Sequence, residues 1–125
     1  MLPGRMTVLL FSLLGSACSS LPSDEDVETT ATEPLSPEQA SQIYVEKGVQ
    51  YMAAGRYEIA LQDMQRGVEL DDENSEAYNA LGVLYQELGD PAQADSHFRQ
   101  ALNLKPDNFG ARNNYGRFLC SRRRV

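Results

Sequence analysis

The chain of 125 residues has the length of one domain, and its 42% content of hydrophobic residues is ordinary for a soluble fold. Its formal net charge is −7, with every carboxylate side chain between Asp24 and Asp107 and five arginines among the last fourteen positions. An acidic body does not offer the broad Lys/Arg surface that phosphate binding needs, which excludes nucleic acid as a main partner.

Residues 1–17 have the pattern of an export signal. Arg5 supplies a positive charge, and the apolar run from Met6 to Leu14 has the length of a signal-peptide core and is too short to span a bilayer. We therefore predict that this segment directs the chain out of the cytoplasm and is removed.

Cys18 follows directly after Gly15, Ser16 and Ala17. Small residues before a cysteine at the end of an apolar run resemble the lipobox of bacterial lipoproteins. That resemblance implies that Cys18 carries a covalent diacylglyceryl group and becomes the mature N-terminus, and that Ser19 directs sorting to the outer membrane. Ordinary secretory cleavage after Ala17 is the alternative.

The next segment, residues 18–35, is rich in Ser, Thr, Pro, Asp and Glu and has no hydrophobic period. Such a composition cannot bury enough apolar surface to fold, so we predict a disordered acidic tether. Behind it lies the folded domain, residues 36–125.

The first helix of this domain begins with Ser36-Pro37, a cap followed by a proline in the first turn, and Gln39 can complete a capping box. Apolar and small residues recur at intervals of three and four along this helix, which predicts that they face inward, and Gly55 is predicted to end the helix. A second helix is predicted from Tyr57 to Leu70. The predicted inward-facing residues of the first helix are Ala40, Ile43, Tyr44, Gly48 and Tyr51, and those of the second are Ala60, Leu61, Met64 and Val68.

A second pair of helices is predicted over residues 75–108. The turn between them is Gly89-Asp90-Pro91, in which glycine closes one helix, aspartate caps the next and proline fits its first turn. We attribute Gly48 and Gly82 to close approach between paired helices, beside Tyr51 and Tyr85. The predicted inward-facing residues are Tyr78, Leu81, Gly82, Tyr85 and Leu88, then Ala94, Phe98, Ala101 and Leu102.

The two pairs of helices align position by position, so that Gly48 corresponds to Gly82 and Ala60 corresponds to Ala94. This pattern of aromatic residues, Leu-Gly, alanines and proline resembles the tetratricopeptide repeat, whose period is about 34 residues. The resemblance implies an all-α solenoid of two complete repeats plus one helix, namely residues 41–74, 75–108 and 109–125.

In tetratricopeptide repeats the first helix of each repeat lines a concave groove that binds proteins, and the resemblance carries that role to positions beside the packing stripe. The predicted partner-binding residues are Val45, Val49, Met52, Asn79, Val83, Gln86, Asn113 and Arg117.

No arrangement of side chains predicts catalysis, a metal site or a cofactor. His97 has no second histidine or nearby cysteine and is expected to face solvent. Asp71-Asp72-Glu73 lies in the turn between repeats, where Asn74 is expected to cap the next helix. Cys120 is expected to be a partly buried packing residue, since no base accompanies it.

The half repeat carries Ala111, Tyr115, Phe118 and Leu119, more apolar surface than one packing contact can bury. We therefore predict that Tyr115 or Phe118 is exposed and that the last helix associates with a second copy or with a partner.

Within this half repeat, Asn113-Asn114-Tyr115-Gly116 followed by Phe118-Leu119-Cys120 resembles the pilotin family of type IV pilus biogenesis lipoproteins. The resemblance implies a noncatalytic outer-membrane lipoprotein that faces the periplasm and helps the pilus secretin to assemble. Two alternatives stay open: an exported adaptor for a different envelope partner, and a regulator of a cell-wall enzyme.

Overall fold

The computed structural model describes residues 33–123, and within this range all regular structure is α-helical. The predicted all-α fold is confirmed, with the five expected helices and no strand among the described residues. The export signal, Cys18 and the tether before residue 33 lie outside that range. The helices are α1 (Pro37–Ala53), α2 (Tyr57–Leu70), α3 (Ser75–Glu87), α4 (Pro91–Leu104) and α5 (Phe109–Arg122).

The helix boundaries follow from local capping, as the sequence predicts. The Ser36 hydroxyl accepts a hydrogen bond from the Gln39 backbone N–H (3.2 Å), and the Gln39 side chain accepts one from the Ser36 N–H (2.9 Å). Asp90 is the N-cap of α4: its carboxylate accepts a hydrogen bond from the Gln93 backbone N–H, and Pro91 lies in the first turn of the helix. Gly55 and Gly89 have φ of 76° and 75°, the left-handed conformation that ends α1 and α3.

α1 pairs with α2 and α3 pairs with α4 as antiparallel hairpins, and α5 packs on α3 and α4. The hairpins approach most closely at two glycines. A Cβ atom on Gly82 would lie 2.6 Å from the Phe98 ring, and one on Gly48 would lie 2.7 Å from Cγ of Met64. The close approach is confirmed, but the residues that require it are Met64 and Phe98 on the partner helices.

Gly116 occupies the same position in the third repeat, yet a Cβ atom there would meet nothing within 4 Å. We therefore expect opposite effects of alanine at the two positions. Gly82→Ala should destabilise the fold by about 1 kcal/mol or more, because overpacking outweighs the gain in helix propensity. Gly116→Ala should stabilise it by up to about 1 kcal/mol. Urea denaturation followed by circular dichroism measures both, and a loss of stability in Gly116→Ala would contradict this packing.

A repeated hydrogen-bond relay connects successive repeats. The Ser41 hydroxyl donates to the Gly67 carbonyl (2.7 Å) and accepts from the Asn74 amide (2.9 Å). One period later, the Ser75 hydroxyl donates to the Ala101 carbonyl (2.9 Å) and accepts from the Asn108 amide (2.8 Å). Each asparagine also caps the following helix, so the relay fixes where that helix begins relative to the preceding repeat.

Two predicted core residues are exposed. Ile43 and Leu88 both face solvent, and the buried side of α1 is formed by Ser41, Val45 and Gly48. The reason is that α1 approaches α2 through its small residues, which turns the neighbouring isoleucine outward. By contrast, Phe98 has no exposed surface, as predicted.

The predicted exposure of Tyr115 or Phe118 is wrong. Phe118 is only 2% exposed and Tyr115 is half-buried. Both rings pack against Phe98 of α4, at centroid distances of 5.6 Å for Tyr115 and 5.7 Å for Phe118. The Tyr115 hydroxyl also donates to Asp95 (2.7 Å), so α4 of the preceding repeat covers this side of α5. The exposed apolar residues of α5 are instead Phe109 and Leu119.

Candidate protein-binding groove

A cleft of about 900 Å³ lies between α1 and the start of α3. Val45, which is 5% exposed, forms part of its floor, and Val49, which is 41% exposed, forms part of its wall. Leu104 and Lys105, at the end of α4, close one side. An apolar floor in an open cleft suits an extended or helical segment of another protein better than a small polar molecule.

Carboxylates surround this cleft. Lys105 is the one cation among the described lining residues, and none of the ion pairs found between residues 33 and 123 neutralises a lining carboxylate. The negative charge is therefore available to an incoming partner. The acidic lining residues are Glu38, Glu46, Asp71, Glu73 and Glu76.

The acidic lining is a feature that the sequence reasoning did not identify. Glu38, Gln42, Val45, Glu46 and Val49 follow one another at helical spacing, so a helical projection of α1 places them on one side. Their signal is weak in the sequence because charged and apolar residues alternate along that side instead of forming an apolar stripe.

The predicted groove residues divide between two places. Val45 and Val49 line the large cleft, whereas Val83, Gln86 and Arg117 line a separate depression of about 130 Å³ between α3 and α5. The two surfaces lie on the first helices of their repeats, as expected for the fold.

The other predicted groove residues line neither surface. Asn79 is buried, where its amide donates to Glu76 (3.3 Å) and its carbonyl accepts from Asn114 (3.0 Å). Met52 is half-buried against the core, and Asn113 is exposed on α5. A role for any of these residues in binding stays a prediction.

The structure gives the surroundings of the residues that were considered for catalysis, namely His97, the turn before α3 and Cys120. The imidazole of His97 is half-buried and stacks on Tyr85 at 5.0 Å, which corrects the expectation that it faces solvent. Its Nδ1 lies 2.7 Å from the Gln93 carbonyl. Asn74 caps α3, as predicted, by accepting from the Glu76 N–H (3.0 Å). Cys120 is exposed, so its expected partial burial is wrong.

The pKa of Tyr78 is raised above its ordinary value, mainly by burial and secondarily by the negative charges of Asp72 and Asp71. The phenol therefore stays neutral at physiological pH.

Within residues 33–123, no three His, Cys, Asp or Glu side chains are placed to hold a metal ion. No helix in the same range is long and apolar enough to cross a membrane.

A model of the tetratricopeptide repeat family matches residues 39–107. The type IV pilus assembly protein PilF of Pseudomonas aeruginosa is 32% identical over 87 residues, which are 70% of this chain and 34% of that protein. A solved structure of P. aeruginosa PilF matches 70% of this chain and 40% of its own, at 32% identity and a TM-score of 0.68. The crystal structure of PilW, a widely conserved type IV pilus biogenesis factor, matches 67% of this chain and 38% of its own, at 36% identity and a TM-score of 0.65. The chain thus spans about a third of the length of the curated pilus relative.

Proposed function

Since the chain belongs to the tetratricopeptide repeat family and is similar to two type IV pilus biogenesis proteins, we propose that it is a noncatalytic scaffold for pilus assembly. Its protein partner is the pilus secretin, which it assists in assembling at the outer membrane. The proposal rests on the similarity to PilF and PilW.

The chemistry of the cleft specifies the segment that it binds. Val49 offers an exposed apolar contact, and the carboxylates around it lack cationic partners in the described part of the chain. A segment with one apolar anchor between Lys or Arg residues would complement both features. We therefore propose that a basic, apolar segment of the secretin occupies the cleft.

The anchor is the second part of the proposal. A lipid on Cys18 would hold the repeats at the periplasmic face of the outer membrane, and residues 19–35 would act as the tether. The formal net charge of −7 disfavours attraction to anionic headgroups, so the acyl chains would supply most of the membrane affinity. This arrangement leaves the cleft free to receive the secretin.

Val49→Glu tests the cleft because it removes the apolar anchor and adds a charge. We expect the secretin no longer to co-purify with the tagged protein, and the amount of secretin multimer in the outer membrane to fall. The matched control is Gln65→Glu on α2, which introduces the same side chain outside the cleft. The control should retain co-purification and normal multimer levels.

Glu46→Lys, at the edge of the same cleft, tests the charge. Reversal should weaken secretin binding and reduce its dependence on salt concentration, because one attractive contact is lost. Secretin multimers that form normally in a strain lacking this protein would contradict the proposed function. Retained secretin binding by both variants would contradict the cleft as the binding site.

A further inference from the structure

A buried amide side chain connects the two concave surfaces. Asn79 of α3 is 8% exposed, and its Nδ2 donates a hydrogen bond to Oε2 of Glu76 (3.3 Å). Its Oδ1 accepts a hydrogen bond from Nδ2 of Asn114 on α5 (3.0 Å). Glu76 lines the acidic cleft, and Asn114 lines the depression between α3 and α5. We call these two hydrogen bonds the amide bridge.

The packing of the repeats does not require an amide at this position. Asn79 corresponds to Val45 of the preceding repeat, which is a buried core residue. A valine gains stability from burial directly, whereas a buried amide must first replace its hydrogen bonds to water. The amide bridge supplies that replacement at both polar atoms of Asn79. What Asn79 adds, and a valine could not, is a fixed direction for the Glu76 and Asn114 side chains.

The carboxylate of Glu76 is the group that this direction affects. Glu76 is exposed in the first turn of α3, and it forms none of the ion pairs found between residues 33 and 123. A free glutamate loses rotamer freedom when it binds a Lys or Arg of a partner, and this loss weakens binding. A hydrogen bond from Asn79 restricts the rotamers before the partner arrives. Because the bond is made to Oε2, Oε1 remains available to the partner.

We propose that Asn79 is a positioning residue of the acidic cleft. It holds the Glu76 carboxylate in the direction in which it pairs with a Lys or Arg of the bound segment, and Asn114 supports Asn79 from α5. In this way α5 affects binding in a cleft that is lined by α1, α3 and the ends of α2 and α4. The inference rests on the proposed function, because it takes a basic segment of the secretin as the occupant of the cleft.

Asn79→Val tests the positioning role with the residue that the preceding repeat has at this place. The variant should stay folded, with an unchanged or higher thermal midpoint by circular dichroism. Its affinity for the purified secretin, measured by biolayer interferometry with the full chain, should fall by about two- to tenfold. In a Glu76→Ala background the same substitution should have no further effect, because the carboxylate that Asn79 directs is absent. Additive effects of the two substitutions would overturn the proposal.

Asn114→Ala tests the support from α5. It removes the donor to Asn79 and should also weaken secretin binding, by no more than Asn79→Val does. Asn113→Ala is the matched control, because it removes the same side chain from the neighbouring exposed position and should leave the affinity unchanged. A loss in Asn114→Ala that persists in the Glu76→Ala background would overturn the proposal, since Asn114 would then contact the secretin directly.

A measurement without any partner separates this inference from the proposed function. Three-bond couplings in the isotopically labelled full chain report the χ1 rotamers of Glu76. One rotamer should dominate in the unmodified chain and in Asn113→Ala, and the rotamers should average in Asn79→Val and Asn114→Ala. Averaging in the unmodified chain, or a single rotamer kept in Asn79→Val, would overturn the inference and leave the proposed function intact.

The binding data separate the two in the same way. Secretin binding that is lost in Val49→Glu and unchanged in Asn79→Val would overturn the inference alone. Secretin binding that is unchanged in both variants would overturn the cleft as the binding site and, with it, the positioning role of Asn79.

Discussion

Replacement of Phe98 by alanine is expected to destabilise the protein by about 3–5 kcal/mol. The Phe98 side chain has no exposed surface and contacts Gly82 of α3 as well as the rings of Tyr115 and Phe118 of α5. Its removal would leave a cavity between three helices. Because domains have only about 5–15 kcal/mol of stability, a loss of this size removes a large fraction of it and should lower both denaturation midpoints strongly. Urea and thermal denaturation followed by circular dichroism measure the change.

Phe109→Ala is the matched control for this prediction. It removes the same side chain from a position that is 76% exposed, and the expected change is within about 0.5 kcal/mol. A double-mutant cycle adds a sharper test: Gly82→Ala should cost less in the Phe98→Ala background, because the new methyl group enters the cavity. Equal stability of Phe98→Ala and the unmodified chain would disprove the register of α3 against α4.

Helix boundaries could be predicted from the sequence because their determinants are local. Ser36 and Gln39 form their capping box within a single helical turn, and Gly89 takes its left-handed conformation without help from the rest of the fold. The repeat period then supplied the pairing of the helices. Neither inference requires knowledge of how two distant surfaces meet.

The packing face of α1 could not be predicted because hydrophobicity does not mark it. Its buried residues are Ser41, Val45 and Gly48, of which only valine is strongly apolar, while Ile43 faces solvent. Ser41 is buried because its hydroxyl satisfies the Gly67 carbonyl and the Asn74 amide. Such a relay depends on partners that are far apart in the sequence, so it could not be predicted locally. Its residues do recur one period later in the sequence, as Ser75 and Asn108.

The same limitation affects the candidate sites. Val45 was predicted to contact a partner, yet it is a buried residue at the floor of the cleft. The carboxylates that surround the cleft come from α1, from the turn before α3 and from α3 itself, so their proximity is a tertiary feature. On α5 the sequence indicated unburied apolar surface, but only the position of α4 determines that Leu119, and not Phe118, is exposed.

Cys18→Ser is expected to release the protein from the membrane. The small residues before Cys18 and the apolar run before them support lipidation at this cysteine. Two or more acyl chains anchor a protein stably, whereas a chain with a formal net charge of −7 is expected to gain little electrostatic attraction from anionic lipid. Membrane and soluble fractions of cells that express each variant measure the change.

Cys120→Ser is the matched control, because it replaces the other cysteine of the chain and should leave the protein in the membrane fraction. The thiol of Cys120 is exposed on α5, so its replacement should not disturb the core. Mass spectrometry of the mature protein supplies the second measurement and should find Cys18 as the first residue, with the mass of its acyl groups added. An unmodified N-terminus, or an unchanged membrane fraction in Cys18→Ser, would contradict the anchor and would leave secretory cleavage after Ala17 as the processing route.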